Sequence, residues 1–374
     1  MKIPSTALHH ILNARGLDIA TLADRSNVSA RKIRSAMDKG GDLEEEDIIS
    51  IADELAVPIE ALFTSENLPL FPAVDFRSAT PKVTKFQKGT LEAISFVERL
   101  SSTFSDLKLD YRLDRSLAAV KTNYTEAQAI ELAREWRKKW GISDDDQLDF
   151  QDANKLYVSL RGFIESLGII VMHRSFETDE AAGLYAHISD GPHIVVINTT
   201  KSSKARKLFT LAHEFCHVLL REEGASNPSI LTNRVERFCN KFAAYLLAPT
   251  RVIKAALKRF RYTVSADDDF IRLFAKKLGI SQEALVLRLV EEGMLTPADY
   301  NRWRSKFNGV TPPGDTGDGG GGRGDPLQTK RTAYGSALLH LLGEARRTGQ
   351  LDEIDIFRLC GLKPKYQNQL FGAI

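Results

Sequence analysis

The sequence is poor in cysteine, in long apolar runs and in net charge. Only Cys216, Cys239 and Cys360 occur among 374 residues; they are too few for a disulfide framework and fit a reducing compartment. No run approaches the ~18 apolar residues of a membrane-spanning helix, and the N-terminal M-K-I-P-S-T-A-L-H-H lacks a signal region. The formal charge of +2 is too small to imply a polyanionic partner. We therefore expect a soluble, cytoplasmic protein that contacts no membrane.

The composition and length favour several folded domains. Hydrophobic residues make up 43% of the chain, which is ample for packed cores, and the length suggests two to three domains. Two segments rich in proline or glycine, Ser65 to Pro81 and Pro312 to Pro326, are typical of linkers. The expected units are a helical domain at 1–65, a linker at 66–84, a larger domain at 85–310, a Gly-rich linker at 311–328 and a small helical C-terminal region at 329–374.

The stretch T-L-A-H-E-F-C-H-V, residues 210–218, carries the clearest chemical signal. His213 and His217 are four apart, so on a helix both imidazoles project from one face and can reach one metal ion at roughly 2.0–2.1 Å. Glu214 is placed to take a proton from water bound to that metal. The alternative is a buried helix with two structural histidines. Apolar flanks predict burial, and buried polar groups need partners, which a metal supplies. The pattern is the H-E-x-x-H of zinc peptidases.

A third ligand is expected on the next helix, which the apolar spacing of V-E-R-F-C-N-K-F-A-A-Y-L-L-A-P, residues 235–249, predicts. Glu236 would complete a His-His-Glu site whose fourth position is open to water. Asn240, one turn later, is placed to hydrogen-bond a metal-ligating histidine and fix its tautomer. The alternatives are an exposed carboxylate paired with Arg237 or Lys241, and a surface amide.

These residues resemble a known family. F-T-L-A-H-E-F-C-H followed by E-R-F-C-N-K-F-A-A-Y-L-L-A-P is similar to the ImmA/IrrE metallo-endopeptidases, from about Leu156 to about Tyr300. The segment G-L-Y-A-H-I-S-D-G-P-H-I-V-V-I-N, residues 183–198, resembles the family's hairpin before the metal helix. The resemblance implies a thermolysin-like zinc site, one Zn²⁺ per chain, and a repressor-type transcription factor as substrate. Cys216 departs from the family, which usually has glycine there; it is either a thiol near the metal or a small buried hydrophobe.

The first 65 residues resemble the Xre/Cro-like helix-turn-helix family. The segment G-L-D-I-A-T-L-A-D-R-S-N-V-S-A-R-K-I-R-S-A-M-D-K-G, residues 16–40, predicts two short helices. Asp18 starts the first, Ser29 caps the second, and Gly40 stops it. In this family the second helix enters a major groove. The resemblance therefore implies that operator DNA is a partner. A homodimer through this unit or through the C-terminal region is a separate possibility; the C-terminal region could instead dock onto the larger domain or bind a partner.

Six side chains on or beside the predicted recognition helix are the candidates for DNA contact. Base contacts are expected from Ser29, Ala30, Arg31 and Arg34, and phosphate contacts from Lys32 and Lys39. Residues 1–63 hold seven Lys or Arg and eleven Asp or Glu, a net charge of 7 − 11 = −4, whereas DNA binders usually show a basic face. We expect the acids at Asp42 to Asp47 to lie away from the recognition helix. The alternative is a module that docks a partner protein, such as another repressor.

A small sheet is expected beside the metal helix. Residues 168–173 and 193–198 read as strands, and residues 184–188 pair with the latter through the turn S-D-G-P. Such a sheet can hold an extended substrate as an added strand. Tyr185, His187 and His193 could orient substrate or stabilise the oxyanion; the alternative, which His173 shares, is an ordinary exposed strand residue.

The sequence thus predicts a mainly α fold with a small β-sheet (α+β) and two candidate functions. The first is a zinc endopeptidase that cleaves a repressor and so induces genes of a mobile element, defence or stress system. The second is a DNA-binding transcriptional regulator, or an antitoxin-like protein, in which the metal domain senses a signal or binds a partner. Glu214 favours the enzyme, because a purely structural metal site does not need that carboxylate.

Overall fold

A computed structural model describes residues 2–39, 42–64, 74–75, 82–83, 86–108, 117, 119–187, 191–200, 202–222, 224–226, 233–307, 312 and 325–372. The fold is mainly helical with one small sheet, as the sequence predicts. Within these residues no helix is both long and apolar enough to cross a membrane. Most of the two predicted linkers, residue Gly40 and part of the S-D-G-P turn lie outside the described residues.

The N-terminal unit contains four helices and a 3-10 turn. Helix α1 ends at Gly16, whose φ of 63° is easily adopted by glycine, and Asp18 caps α2 by accepting from the Thr21 amide. Asn27, with a φ of 57°, turns the chain from α2 towards α3. The elements are α1 (Ser5–Arg15), α2 (Ile19–Ser26), α3 (Ala30–Lys39), α4 (Glu45–Glu54) and a 3-10 helix (Ile59–Leu62).

The sheet has three longer strands and three short ones. They are β1 (Val74–Asp75), β2 (Lys82–Val83), β3 (Ile170–Arg174), β4 (Gly183–His187), β5 (His193–Asn198) and β6 (Gly224–Ser226), in the order β2-β1-β6-β4-β5-β3. The predicted hairpin is confirmed, because β4 pairs antiparallel with β5 and His187 lies opposite His193. On its other side β4 pairs with β6, and β6 with β1. The stretch predicted as a linker at 66–84 therefore contributes two strands.

The sheet separates two apolar cores, because alternate residues of a strand face opposite sides. Tyr185 and Val195 face the core around α9. Leu184 and Val196 face a second core, which also holds side chains of the N-terminal unit, of the helix that follows it and of the C-terminal helices.

Ten helices described between residues 88 and 305 build the central part of the molecule. The helices between residues 250 and 291 supply buried apolar side chains to the first core. The helices are α5 (Lys88–Asp106), α6 (Glu126–Trp140), α7 (Asp144–Phe150), α8 (Ala153–Ser166), α9 (Lys204–Leu220), α10 (Arg234–Leu247), α11 (Thr250–Phe260), α12 (Asp268–Leu278), α13 (Gln282–Glu291) and α14 (Pro297–Ser305).

The C-terminal helices dock onto the sheet. They are α15 (Pro326–Arg347), α16 (Glu353–Cys360) and α17 (Pro364–Phe371). Helix α15 runs along β3 and kinks at Gly335, where φ is 77°. A Cβ at Gly335 would lie 2.5 Å from the Val171 carbonyl oxygen. Arg161 donates 2.7 Å to the Thr332 carbonyl oxygen and so ties α15 to α8. This region is thus part of the second core.

One buried ion pair fixes the N-terminal unit to α5. Arg15 is fully buried and donates to both carboxylate oxygens of Glu98, at 2.8 and 2.6 Å. Its Nε also donates to the Leu55 carbonyl oxygen at 3.1 Å. Such a fork-to-fork pair has a defined geometry as well as charge complementarity. It holds the N-terminal unit in one orientation against α5.

Candidate metal centre

Helix α9 carries the H-E-x-x-H residues in a buried setting. Ser203 caps the helix by accepting from the Arg206 amide. Apolar residues surround the motif and pack it between the sheet and neighbouring helices. His213 and Glu214 are 0% exposed and His217 is 1% exposed. Burial of three polar side chains requires compensating partners.

Helix α10 brings Glu236 to the two histidines. Its carboxylate oxygens lie 3.3 Å from His213 Nε2 and 3.3 Å from His217 Nε2, and the two Nε2 atoms are 3.1 Å apart. Ligands bound tetrahedrally at roughly 2.0–2.1 Å would lie about 3.3 Å from one another. The three side chains therefore have the spacing that one metal ion requires, and together they could hold one.

Hydrogen bonds at the Nδ1 atoms of the two histidines determine whether their Nε2 atoms can bind a metal. His213 Nδ1 lies 2.9 Å from Asn240 Oδ1, and His217 Nδ1 lies 3.2 Å from the Glu222 carbonyl oxygen. With oxygen acceptors at both Nδ1 atoms, each neutral ring carries its proton there and presents a lone pair at Nε2. Two lone pairs and a carboxylate then converge, which is an arrangement that a cation stabilises. Asn240 thus occupies the place predicted for it.

The charges around Glu236 also suit a cation. Burial raises the pKa of the Glu236 carboxyl, and His213 and His217, when protonated, lower it to about 2. A metal ion held by the neutral rings would supply positive charge at the same place. The carboxylate is fully buried, and neither oxygen accepts a hydrogen bond of normal geometry within the described residues. A buried carboxylate in this condition is costly. Coordination would offset that cost, so the donor set fits a divalent metal with nitrogen and oxygen ligands.

Glu214 lies against the first residue of β4. A Cβ built on Gly183 would lie 2.3 Å from Glu214 Oε1, so only glycine leaves room for this carboxylate between α9 and the strand. The contact places Glu214 on the sheet side of α9. Sequence reasoning did not single out Gly183, although a glycine at the start of a strand is a signal of close approach.

Cys216 and Cys239 are both fully buried. Burial, followed by contact with Cys216, raises the pKa of the Cys239 thiol. Among the described residues the convergent metal-binding group contains neither cysteine. A buried thiol outside the ligand group behaves as a small hydrophobe, which is the second of the two alternatives for Cys216.

The histidines of the hairpin are not ordinary exposed residues. His193 is 0% exposed, lies 2.7 Å from the Tyr185 hydroxyl and stacks on His187 with ring centroids 4.1 Å apart. The expectation of an exposed strand residue is wrong for His193, because α9 covers this face of the sheet. His173 is half-buried and lies 2.5 Å from the Tyr157 hydroxyl.

The predicted DNA-contacting residues lie on or beside α3. Ser29, Arg31, Lys32 and Arg34 are exposed, and Ala30 is partly exposed. Lys32, however, contacts Asp47 at 2.8 Å and Glu44 at 3.7 Å. The expectation that the acids of residues 42–47 lie away from this helix is therefore wrong. In the fold the start of α4 packs against α3. The carboxylates of Asp47 and Glu44 therefore offset the positive charge of Lys32.

Residues 164–290 match the family model described as IrrE N-terminal-like domain, peptidase M78. The match covers about a third of the chain and includes the hairpin, the H-E-x-x-H helix and Glu236. Comparison with curated proteins finds no match. The fold and the site together define this segment as a metallopeptidase-type domain. Over the same residues the match supports the resemblance to the ImmA/IrrE family.

Proposed function

We propose that the chain is a zinc-dependent endopeptidase. The observation that carries the proposal is the buried trio of His213, His217 and Glu236, spaced for one metal, with a carboxylate on the same helix. A structural zinc site is closed by four protein ligands, whereas a catalytic site keeps three and leaves one position for water. Three ligands and an adjacent Glu214 match the catalytic arrangement.

Each residue of the site has a separate role in the proposed mechanism. A zinc ion held by the trio would lower the pKa of a water molecule towards ~7. Glu214 is placed to accept the proton of a water molecule that attacks a peptide carbonyl, and would return that proton to the departing amine. Asn240 and the Glu222 carbonyl oxygen keep both histidines in the Nδ1–H tautomer. Burial excludes bulk water and strengthens each of these interactions.

In the described residues the candidate metal site is closed to solvent. His213, Glu214, His217 and Glu236 are at most 1% exposed, so substrate reaches them only after neighbouring segments move. Tyr124 donates 2.6 Å to Glu222 beside the site, and β6 pairs with the β4 edge. Because an extended peptide would bind by adding a strand at that edge, we propose that the enzyme is latent until β6 is displaced.

Substitution of the base tests the enzymatic proposal. Glu214→Gln keeps the size of the side chain and removes its proton-accepting charge, so we expect zinc content and fold to persist while peptide cleavage falls by at least a hundredfold. Cleavage is followed by mass spectrometry of a peptide library. Exposed Glu131→Gln is the matched control. Cleavage by Glu214→Gln at the wild-type rate would exclude this mechanism.

Metal analysis tests the ligand set. We expect one zinc per chain, lost on His213→Ala and on Glu236→Ala. Full zinc content in Glu236→Ala would place the third ligand elsewhere, and absence of zinc from the wild-type protein grown with zinc would contradict the proposal.

We propose a repressor-type transcription factor as the substrate and a DNA-linked role for the chain. The resemblance of residues 16–40 to a helix-turn-helix supports this, as does the exposed start of α3. Cleavage of the repressor would induce genes of a mobile element, defence or stress system. If the target genes are still induced in cells that carry Glu214→Gln, cleavage of the repressor is not the cause of their induction.

A second candidate, a DNA-binding regulator that dimerises on its operator, rests on Arg31 and Arg34. Both are exposed near the start of α3. We expect Arg31→Ala/Arg34→Ala to abolish a gel shift with its own promoter region, whereas Arg358→Ala/Lys365→Ala, which removes the same charge from exposed C-terminal positions, leaves the shift intact. If both double variants retard the promoter DNA equally, the proposal that α3 contacts the bases is contradicted.

A further inference from the structure

Tyr124 lies between the two helices that carry the metal-ligating side chains. Its hydroxyl donates 2.6 Å to a carboxylate oxygen of Glu222, just beyond the end of α9. Its ring meets the Phe238 ring of α10 edge-on, with centroids 5.7 Å apart. The guanidinium of Arg234, also on α10, lies 4.9 Å from the centre of the Tyr124 ring. Tyr124 therefore contacts both α10 and the chain that leaves α9.

Glu222 connects Tyr124 to a ligand of the metal centre. The Glu222 carbonyl oxygen lies 3.2 Å from His217 Nδ1, and the Glu222 amide donates 3.1 Å to the His217 carbonyl oxygen. A peptide group beyond the end of a helix can rotate about its two backbone dihedral angles unless other contacts hold it. The hydrogen bond from Tyr124 limits this rotation and so keeps the carbonyl oxygen at Nδ1.

The segment that carries Tyr124 is itself held against the end of α9. The Val120 amide donates 2.9 Å to the Leu219 carbonyl oxygen. Arg221 donates 2.7 Å to the Leu117 carbonyl oxygen. Tyr124 has a φ of 57°, a left-handed conformation that is uncommon for a residue with a bulky side chain. Such a conformation persists where surrounding contacts hold it, so Tyr124 has a fixed place beside the site.

The hydrogen bond at Nδ1 matters because a neutral imidazole has one proton and one lone pair. With an acceptor at Nδ1 the proton stays there, and the lone pair of His217 remains at Nε2, where Glu236 and His213 converge. Without that acceptor the proton can move to Nε2, and the ring can turn away. Removing a hydrogen-bond partner of a metal-ligating histidine typically weakens metal binding by about 10–100-fold.

We infer that Tyr124 is a positioning residue of the metal centre: by holding Glu222, it keeps His217 in the tautomer that binds metal. The inference rests on the proposed zinc site and adds residues 119–125 to it. These residues lie outside the segment 164–290 that matches the peptidase family model.

Zinc affinity of the full-length protein tests the inference. Tyr124→Phe keeps the ring between Phe238 and Arg234 and removes only the hydroxyl, so we expect roughly tenfold weaker zinc binding. The measurement is a competition titration with a chelator. Tyr300→Phe is the matched control, because it removes a hydroxyl that donates 3.0 Å to Glu283 between helices without metal ligands. Equal zinc affinities of Tyr124→Phe and Tyr300→Phe would overturn the inference.

Substitution of Glu222 separates positioning from a general loss of packing. Glu222→Ala should weaken zinc binding about as much as Tyr124→Phe, whereas Glu222→Gln retains an oxygen acceptor and should recover most of the affinity. Tyr124→Phe/Glu222→Ala should bind no more weakly than Glu222→Ala, because both changes remove the same hydrogen bond. Fully additive losses would contradict the inference. The visible absorption of the Co²⁺-loaded protein reports ligand geometry and should change in Tyr124→Phe but not in Tyr300→Phe.

Zinc binding is measured without a substrate, so its outcome is independent of peptide cleavage. A wild-type protein that binds zinc more tightly than Tyr124→Phe but cleaves no peptide would refute the peptidase and leave the positioning role. Peptide cleavage together with an unchanged zinc affinity in Tyr124→Phe would refute the positioning role and leave the peptidase. A wild-type protein that binds no zinc would refute both. Thermal melting of each metal-free variant verifies folding.

Discussion

At the scale of single residues, hydrogen bonds to the outer nitrogens decide what the histidines of the metal centre can bind. Asn240 holds the proton of His213 on Nδ1 and so leaves a lone pair at Nε2. The four-residue spacing of His213 and His217 predicts that they share a helix face. Glu236 was expected as the third ligand on the next helix, and the packing of α10 against α9 brings it to the two histidines.

We predict that Asn240→Leu weakens metal binding by about 10–100-fold, since the acceptor that orients His213 is lost. The measurement is a competition titration with a zinc chelator. Asn240→Asp retains an acceptor oxygen and should bind more tightly than Asn240→Leu. Equal affinities for both variants would show that the hydrogen bond does not orient the ligand.

We predict a pH-dependent contribution of His193 to stability. Its pKa is about 2 in the folded protein, against ~6.5 in an unfolded chain. The contribution is fully present above pH ~6.5 and falls by about 1.4 kcal/mol per pH unit below it, because only the unfolded chain takes up the proton. Urea unfolding of metal-free protein between pH 5.5 and 4 should show a shallower pH slope in His193→Gln. An equal change in His9→Gln, an exposed histidine, or no change in His193→Gln, would contradict this.

Two residue-scale predictions failed because they depend on contacts between distant segments. Alternation along β5 does not reveal that α9 covers one face of the strand, so the burial of His193 was missed. Lys32 and Asp47 are 15 residues apart, and their pairing depends on how α4 packs. Local charge counting cannot detect either arrangement.

At the scale of elements, the contact between α9 and β4 fixes the position of the Glu214 carboxylate. The long helices were predicted from their 3.6-residue periodicity, and the β4–β5 hairpin from alternating strands around turn residues. Strands β1, β2 and β6 are two or three residues long. Segments this short carry no periodic signal, and their pairing to β4 depends on tertiary structure.

We predict that Gly183→Ala strongly lowers peptide cleavage while zinc remains bound. The added methyl would lie 2.3 Å from Glu214 Oε1 and 2.7 Å from its Cδ, so the carboxylate must move. A fall of about a hundredfold in kcat is expected, since small displacements of reacting groups cost that much. Gly162→Ala, where a Cβ meets nothing within 4 Å on α8, is the matched control. Full activity of Gly183→Ala would mean that Glu214 does not act from this position.

At the scale of the whole molecule, the sheet joins the peptidase-type segment to both ends of the chain. One face lies on the metal helix and the other on a core shared with α5, α15 and the N-terminal unit. Linker composition suggested independent units, and the sequence gives no sign that they share a core. In the structure the shared core and buried pairs such as Arg15 and Glu98, 83 residues apart, show the attachment.

We predict that Glu98→Gln lowers the free energy of unfolding by roughly 3 kcal/mol, because Arg15 is left buried without a counter-charge. Chemical denaturation measures the effect. Exposed Glu131→Gln, which loses only a surface pair with Arg134, should change stability by less than ~0.5 kcal/mol, and Arg15→Leu/Glu98→Leu should recover much of the loss. A Glu98→Gln protein as stable as Glu131→Gln would contradict the role of this pair.

The docking of α15 along β3 also constrains when the protein matures during synthesis. The metal helix and Glu236 leave the ribosome well before α15, yet the outer face of the sheet that supports Glu214 is covered by α15. Until α15 has been made, apolar residues such as Ile170 and Met172 remain exposed to water and to other chains. A nascent chain therefore cannot complete this sheet early, and the support of Glu214 is finished only after the C-terminal helices have been made.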